Sequence, residues 1–326
     1  GGGSRFVALP VRSSKTGYLC RRCLIMCAFR PLLLVGALAA SAVAQKLPET
    51  WVAGPTATAP QIAGSGSNVY LVWTDVWNPL TGAKVWFSRS TDSGATWLAN
   101  PVQLNVVGRP GRSPRIACNG SSVWVVWAEH GNSIQLNRST DGGATWLAQS
   151  IRVNANPLVY LRYPGVPCVD AVGQNVYVAW HLSDGYSGQI IYFNRSTDGG
   201  DTWLPQDTLL SAPFSSATNP RISGSGDNVY VIWQGGGTHF NRSTDRGTTW
   251  LPSAVRLDGQ APTADPRLSC DGDKVYAVWH AGGDVYFNRS ADAGVTWLPV
   301  EVRLNTAAGT YSATHPGISG SGDRVY

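Results

Sequence analysis

The 326-residue chain is predicted to adopt an all-β fold, a β-propeller of four-stranded blades. Three observations predict it. A unit of roughly 50 residues recurs along the chain, a period typical of blade and solenoid architectures. Each unit holds an apolar strand ending in tryptophan and a glycine-containing hairpin motif that also ends in tryptophan. The composition agrees: 14 tryptophans, 37 glycines and 14% charged residues suit short strands, tight turns and aromatic packing better than helices.

The tryptophan strands are Val69-Tyr-Leu-Val-Trp73, Val123-Trp-Val-Val-Trp127, Val176-Tyr-Val-Ala-Trp180, Val229-Tyr-Val-Ile-Trp233 and Val275-Tyr-Ala-Val-Trp279. They are continuously apolar rather than alternating, so both faces must be buried, as in a sheet held between two neighbours. Each unit divides into four strands. In the second, these are expected near 114–118, 123–127, 134–139 and 145–153, labelled A to D in the order of a propeller blade.

The hairpin motif lies between strands C and D. Its copies are Ser90-Thr-Asp-Ser-Gly-Ala-Thr-Trp97, Ser139-Thr-Asp-Gly-Gly-Ala-Thr-Trp146, Ser196-Thr-Asp-Gly-Gly-Asp-Thr-Trp203, Ser243-Thr-Asp-Arg-Gly-Thr-Thr-Trp250 and Ser290-Ala-Asp-Ala-Gly-Val-Thr-Trp297. Gly94, Gly143, Gly200, Gly247 and Gly294 supply the turn residue at positive φ. Asp92, Asp141, Asp198, Asp245 and Asp292 accept turn N–H and hydroxyl groups, a structural role. The closing tryptophan is expected to pack between blades. A sixth unit begins before Val325-Tyr326, so the propeller is expected to have at least six blades when complete and to be incomplete at its C-terminal end here.

The amino terminus reads differently. Six of the 25 basic residues precede residue 45 and no acid does, which leaves 19 bases against 20 acids in the remainder. That balance implies no nucleic-acid or polybasic membrane partner. After Met26 come Arg30, an apolar run over 31–40 and Ala42-Val43-Ala44. A basic start, a short apolar core and a small-residue site form a secretory signal peptide over 26–44, too short for a membrane span. Residues 1–25 read as translated upstream sequence or a longer leader, and 45–326 as the propeller of a secreted, extracellular or periplasmic protein. Cys118, Cys168 and Cys270 remain after cleavage. They are taken as small fillers at one shared repeat position, not as a disulfide framework.

The motif Ser-x-Asp-x-Gly-x-Thr-Trp resembles the Asp box, or BNR repeat, of the sialidase superfamily, and the resemblance spans residues 60–326. It implies that the Asp turns lie on the face opposite the active site, with the B–C and D–A loops on the working face. Three of those loops break the repeat in length: 74–83, 154–165 and 181–189. They carry Asp75, Trp77, Tyr160, Arg162, Tyr163, His181, Asp184 and Tyr186. Aromatics beside charged groups suit a sugar; a solvated loop is the alternative.

Arg115, Arg221 and Arg267 follow proline at the start of three A strands, with Gln61, Gly165 and Gly317 in that place elsewhere. Three guanidiniums at a channel mouth form a clamp for a carboxylate, and sialidases resemble this in using an arginine triad. Pairing with neighbouring blades is the alternative. The family also implies a tyrosine nucleophile, a glutamate and an acid. If the chain is an enzyme, Asp75 and Glu129 are the catalytic candidates. The family's first-blade arginine is replaced by Gln61, which favours binding over catalysis.

Three functions stay open: a non-catalytic propeller binding a glycan or another extracellular ligand, an exo-α-sialidase or related glycoside hydrolase, and a structural module of a larger extracellular protein. Histidine spacing gives no metal site, and no cofactor is expected.

Overall fold

A computed structural model describes residues 52–53, 56–78, 82–129, 133–155, 163–183, 188–211, 216–259, 263–305, 315–321 and 324–326. Residues 1–51, on which the expected leader and signal peptide fall, and most of the 154–165 loop lie outside this set. The fold is an all-β propeller of four-stranded antiparallel blades.

Blade 1 holds β1 (Thr58–Ser65), β2 (Asn68–Thr74), β3 (Val85–Ser90) and β4 (Val102–Gln103). Blade 2 holds β5 (Gly111–Asn119), β6 (Ser122–Glu129), β7 (Ser133–Ser139) and β8 (Ile151–Arg152). In blade 3, β9 (Tyr163–Pro164) and β10 (Cys168–Val172) precede β11 (Asn175–Ser183), β12 (Gln189–Ser196) and β13 (Thr208–Leu209). Blade 4 holds β14 (Thr218–Ser225), β15 (Asn228–Gln234), β16 (Thr238–Ser243) and β17 (Val255–Arg256). Blade 5 holds β18 (Thr263–Asp271), β19 (Lys274–Ala281), β20 (Asp284–Ser290) and β21 (Val302–Arg303), and a hairpin of β22 (Gly320–Ser321) and β23 (Arg324–Val325) follows.

Successive A strands (β1, β5, β10, β14, β18) approach one another, so they are the innermost strands around the channel. The D strand is shorter than the sequence predicts. In blade 2 only Ile151 and Arg152 pair with β7, and Trp146 belongs to the turn region before it.

The core lies between blades. Tyr70, Val72, Phe87 and Leu104 of blade 1 pack against Val123, Val125 and Trp127 of blade 2, and the same layer recurs at the next three interfaces. Trp127, Trp180 and Trp279 are fully buried, which accounts for the unbroken apolar strands. The turn tryptophans meet the preceding blade: Trp146, Trp250 and Trp297 lie edge-on to Phe87, Phe193 and Phe240 at 4.7, 4.8 and 4.9 Å.

All five hairpin motifs form the same turn. At Asp198, Ser196 Oγ donates to Oδ1 (2.6 Å), the Thr202 N–H donates to Oδ1 (2.9 Å), and the Gly200 N–H donates to Ser196 Oγ (2.7 Å). Each turn also docks on its own blade's A–B turn, as in the Gly142 N–H to Ser121 O bond of 2.7 Å. The Asp turns therefore share one end of the propeller. Gly247 has φ +80°, and a Cβ there would come within 2.7 Å of Phe193. Both conformation and packing demand glycine at that site.

The arginine just before each motif serine also serves the scaffold, in Ser88-Arg89-Ser90 of blade 1 and in the Asn-Arg-Ser segments of blades 2 to 5. Arg89 Nη1 donates to Gly142 O of the next blade (2.7 Å), and Arg195 Nη1 donates to Arg246 O (2.8 Å). Asn137, Asn194, Asn241 and Asn288 are buried, and Asn194 Nδ2 donates to Leu204 O (3.1 Å).

Candidate functional site at the channel

The A strands of blades 1, 2, 4 and 5 share an irregularity. Their pairing register shifts between Thr58 and Gln61, Arg112 and Arg115, Thr218 and Arg221, and Ala264 and Arg267. Inside each shift one residue takes positive φ: Ala59, Ser113, Asn219 and Asp265, each followed by proline. Left-handed backbone before proline is disfavoured, and a bulge of this kind re-aims the next side chain. That next side chain is Gln61, Arg115, Arg221 or Arg267. In blade 3 the inner strand is divided at this point into β9 and β10.

The three arginines stand on inner strands and lie within electrostatic reach of one another. Burial first, then the charges of Arg267 and Arg115, pull the Arg221 guanidinium down to about 9. Arg115 is pulled down to about 10 by burial, with Arg267 acting in the same direction. Side chains from blades 2, 4 and 5 thus feel one another across the centre. Each donates one Nη1 bond to the carbonyl of the preceding proline, at 3.0, 2.9 and 3.4 Å for Arg115, Arg221 and Arg267. Among the described residues, neither Arg115 nor Arg221 is in an ion pair.

The strand register corrects the cysteine assignment. Cys118 pairs with Val123 and Cys270 with Val275, but Ala171 holds that position in blade 3, opposite Val176. Cys168 instead pairs with Ala179, one residue before the tryptophan of its strand, as Arg115 pairs with Val126 and Arg267 with Val278. Cys168, not Gly165, therefore stands in the arginine's place, and its electrostatic contact with both Arg115 and Arg221 agrees. Cys118, Cys168 and Cys270 are not joined in a disulfide. Counting back from the tryptophan strand would have given this register; residue type misled.

The two catalytic candidates face elsewhere. Asp75 Oδ1 accepts from the Lys84 N–H (2.6 Å) and Oδ2 from Trp86 Nε1 (3.2 Å), so both oxygens brace its own B–C loop. Glu129 lies at the same position of blade 2, buried, with Arg109 Nη1 at 3.6 Å. Burial pushes its carboxyl up. It lines a cleft of about 520 Å³ with Ser133, Gln135 and Arg152, on strands C and D rather than at the channel.

Trp77 is 53% exposed, and the Arg112 guanidinium lies 5.6 Å from its ring centroid. This open aromatic face suits a sugar ring. His181 is different. Burial pulls it down to about 4, and its ring packs on Gly165, where any Cβ would collide with it. It is a neutral packing residue at physiological pH. Tyr160, Arg162, Asp184 and Tyr186 lie outside the described residues; Tyr163 is placed only by its backbone pairing with Ser183. Among the described residues, no three His, Cys, Asp or Glu side chains are grouped to hold a metal, and no helix is long and apolar enough to cross a membrane.

Sequence reasoning missed a second cluster beside the arginines. His280 Nε2 and His315 Nε2 lie 3.7 and 3.5 Å from the same oxygen, Oδ2 of Asp265. Asp265 and His315 are the acid and the base among otherwise uncharged residues before the repeated proline. That departure was the available signal.

No protein-family model matches the chain, and no curated protein matches it in sequence. Solved structures do match. A protein of unknown function from Dyadobacter fermentans is 14% identical, with a TM-score of 0.56 over 81% of this chain and 87% of its own. An α-L-arabinanase from Penicillium chrysogenum, solved with arabinobiose, is 14% identical, with a TM-score of 0.52 over 79% and 84%. The Trypanosoma rangeli sialidase is 11% identical, with a TM-score of 0.50 over 86% of this chain and 53% of that one. The chain is a β-propeller, a fold that it shares with these proteins. At these identities the likeness concerns the fold.

Proposed function

We propose that this protein is a secreted, non-catalytic propeller that binds an acidic glycan, holding a carboxylate at Arg115, Arg221 and Arg267. One observation carries the reading: three guanidiniums from three blades converge on the channel, and Arg115 and Arg221 lack an ion pair among the described residues. An anion there relieves both the burial and the mutual repulsion of the cluster. Trp77 offers a face on which a sugar ring stacks. The glycan-active propellers among the structural matches support the choice of a sugar, and the signal-peptide pattern over 26–44 supports secretion. Catalysis is disfavoured because Asp75 braces its own loop and Glu129 faces the outer strands of blade 2.

The test is calorimetry with sialic acid beside neutral galactose, and a fluorogenic sialoside assay on the same material. Sialic acid should bind and galactose should not compete. Arg221→Ala should weaken binding at least roughly tenfold, since a charged hydrogen-bond partner is worth about 1.5–3 kcal/mol. Turnover of the sialoside that is abolished by Asp75→Asn or Glu129→Gln would overturn the non-catalytic assignment.

A further inference from the structure

We propose that Asp265, His280 and His315 form a proton-controlled counterion to the arginine cluster, so that the channel binds a carboxylate more tightly in mildly acid than in neutral solution. The inference rests on the carboxylate reading above and adds a control to it.

The geometry comes from three elements. Asp265 sits in the left-handed bulge of β18, φ +47°, two residues before Arg267. His280, on the adjacent β19, pairs with Ala264 next to it in the ladder. His315 comes from the segment ahead of β22 and occupies the pre-proline, positive-φ position of its own unit, φ +56°. Both imidazoles direct Nε2 at one carboxylate oxygen. Among the described residues, Asp265 also faces Arg221, whose proton affinity it raises, and Arg267 stands two residues further along the same strand. The Asp265 side chain is partly exposed, at 22%, and lies within electrostatic reach of Arg221.

Two kinds of cation therefore compete for one carboxylate. Imidazoles titrate near 6.5 in water, whereas guanidiniums remain charged through neutral pH. When the two imidazoles carry a proton they hold Asp265, and the arginines are left to the ligand. Without that proton they are neutral donors at most. Asp265 then serves the arginines as a resident anion and repels an incoming one. A ligand carboxylate is ionised across this range, so the slope belongs to the protein. The sign follows from linkage: if the protonated imidazoles favour the anion, affinity falls as pH rises through the histidine range. Coupling equal to one pKa unit is about a tenfold change in affinity.

The experiment is calorimetric binding of sialic acid at pH 5.5 and 7.5 to the full chain, to the double variant His280→Gln/His315→Gln, and to Asp265→Asn. Asparagine accepts the left-handed bulge, so Asp265→Asn should keep the strand. The wild type should bind roughly tenfold more weakly at pH 7.5. The double variant should be flat at the weak value, and Asp265→Asn flat at the tight value. A flat wild type, or a double variant that keeps the slope, overturns the inference while leaving the carboxylate site intact. No binding by any form at either pH overturns the carboxylate reading, and this inference with it.

Discussion

Ser196 and Arg221 are both enclosed polar side chains, and their surroundings treat them oppositely. Ser196 is 1% exposed, and its hydroxyl both donates to Asp198 and accepts from the Gly200 N–H. Arg221 spends one N–H on Pro220 and faces two like charges against the one carboxylate of Asp265. A residue whose every bond is internal holds the scaffold; one left with surplus charge is suited to a partner. Ser196→Ala should therefore cost about 1–3 kcal/mol in urea denaturation, because the buried Gly200 N–H loses its acceptor. Sialic acid binding should be unchanged in that variant. The same contrast separates legible from illegible residues. The three arginines were readable because each stands at a fixed distance from an apolar strand. Cys168 was not, because it was matched to the other cysteines by type, and only the ladder puts it opposite Ala179. Asp265 went unread because the repeated proline was followed forward to the arginine, and the residue before the proline was not compared between blades.

At the scale of the element, the B strands and the Asp turns were visible because both end in tryptophan, and the B strands are also enclosed by neighbouring blades. The D strands were not, since two residues of pairing leave no periodicity to read. Burial along these strands also sorts by position in the ring. Leu104, Leu210 and Leu257 follow strand D in blades 1, 3 and 4 and are 6%, 5% and 6% exposed. Leu304, at the same place after β21, is 54% exposed. A leucine contributes to stability through the surface it removes from water and the cavity it leaves when cut. Leu257→Ala should cost about 2–5 kcal/mol, and Leu304→Ala within about 0.5 kcal/mol of zero. Equal losses in chemical denaturation would mean that Leu304 is covered in solution.

For the whole molecule, pH offers a test that reads many blades at once. In the Asp turns, hydrogen bonds from Ser90 and Thr96 hold the Asp92 carboxyl down to about 2, and the other four are held low by equivalent bonds that outweigh any burial. A carboxylate depressed in the folded state contributes its full stability above the unfolded value near 3.9, and loses it as pH falls toward the folded one. Five copies act in the same direction, so stability should fall steeply between pH 4 and about 2. His181 acts in a different window. Its imidazole is pulled from 6.5 down to about 4 by burial. The unfolded chain then takes up a proton that the folded chain refuses, and stability declines as pH falls from 6.5 to 4. A shift of that size is worth at most about 3 kcal/mol. Thermal unfolding from pH 8 to pH 2 should thus show two descending steps. His181→Gln should remove the upper step and leave the lower one, whereas Asp198→Asn should reduce only the lower. A single step below pH 4 in the wild type would mean that the His181 imidazole is hydrated, and that its packing on Gly165 opens in solution.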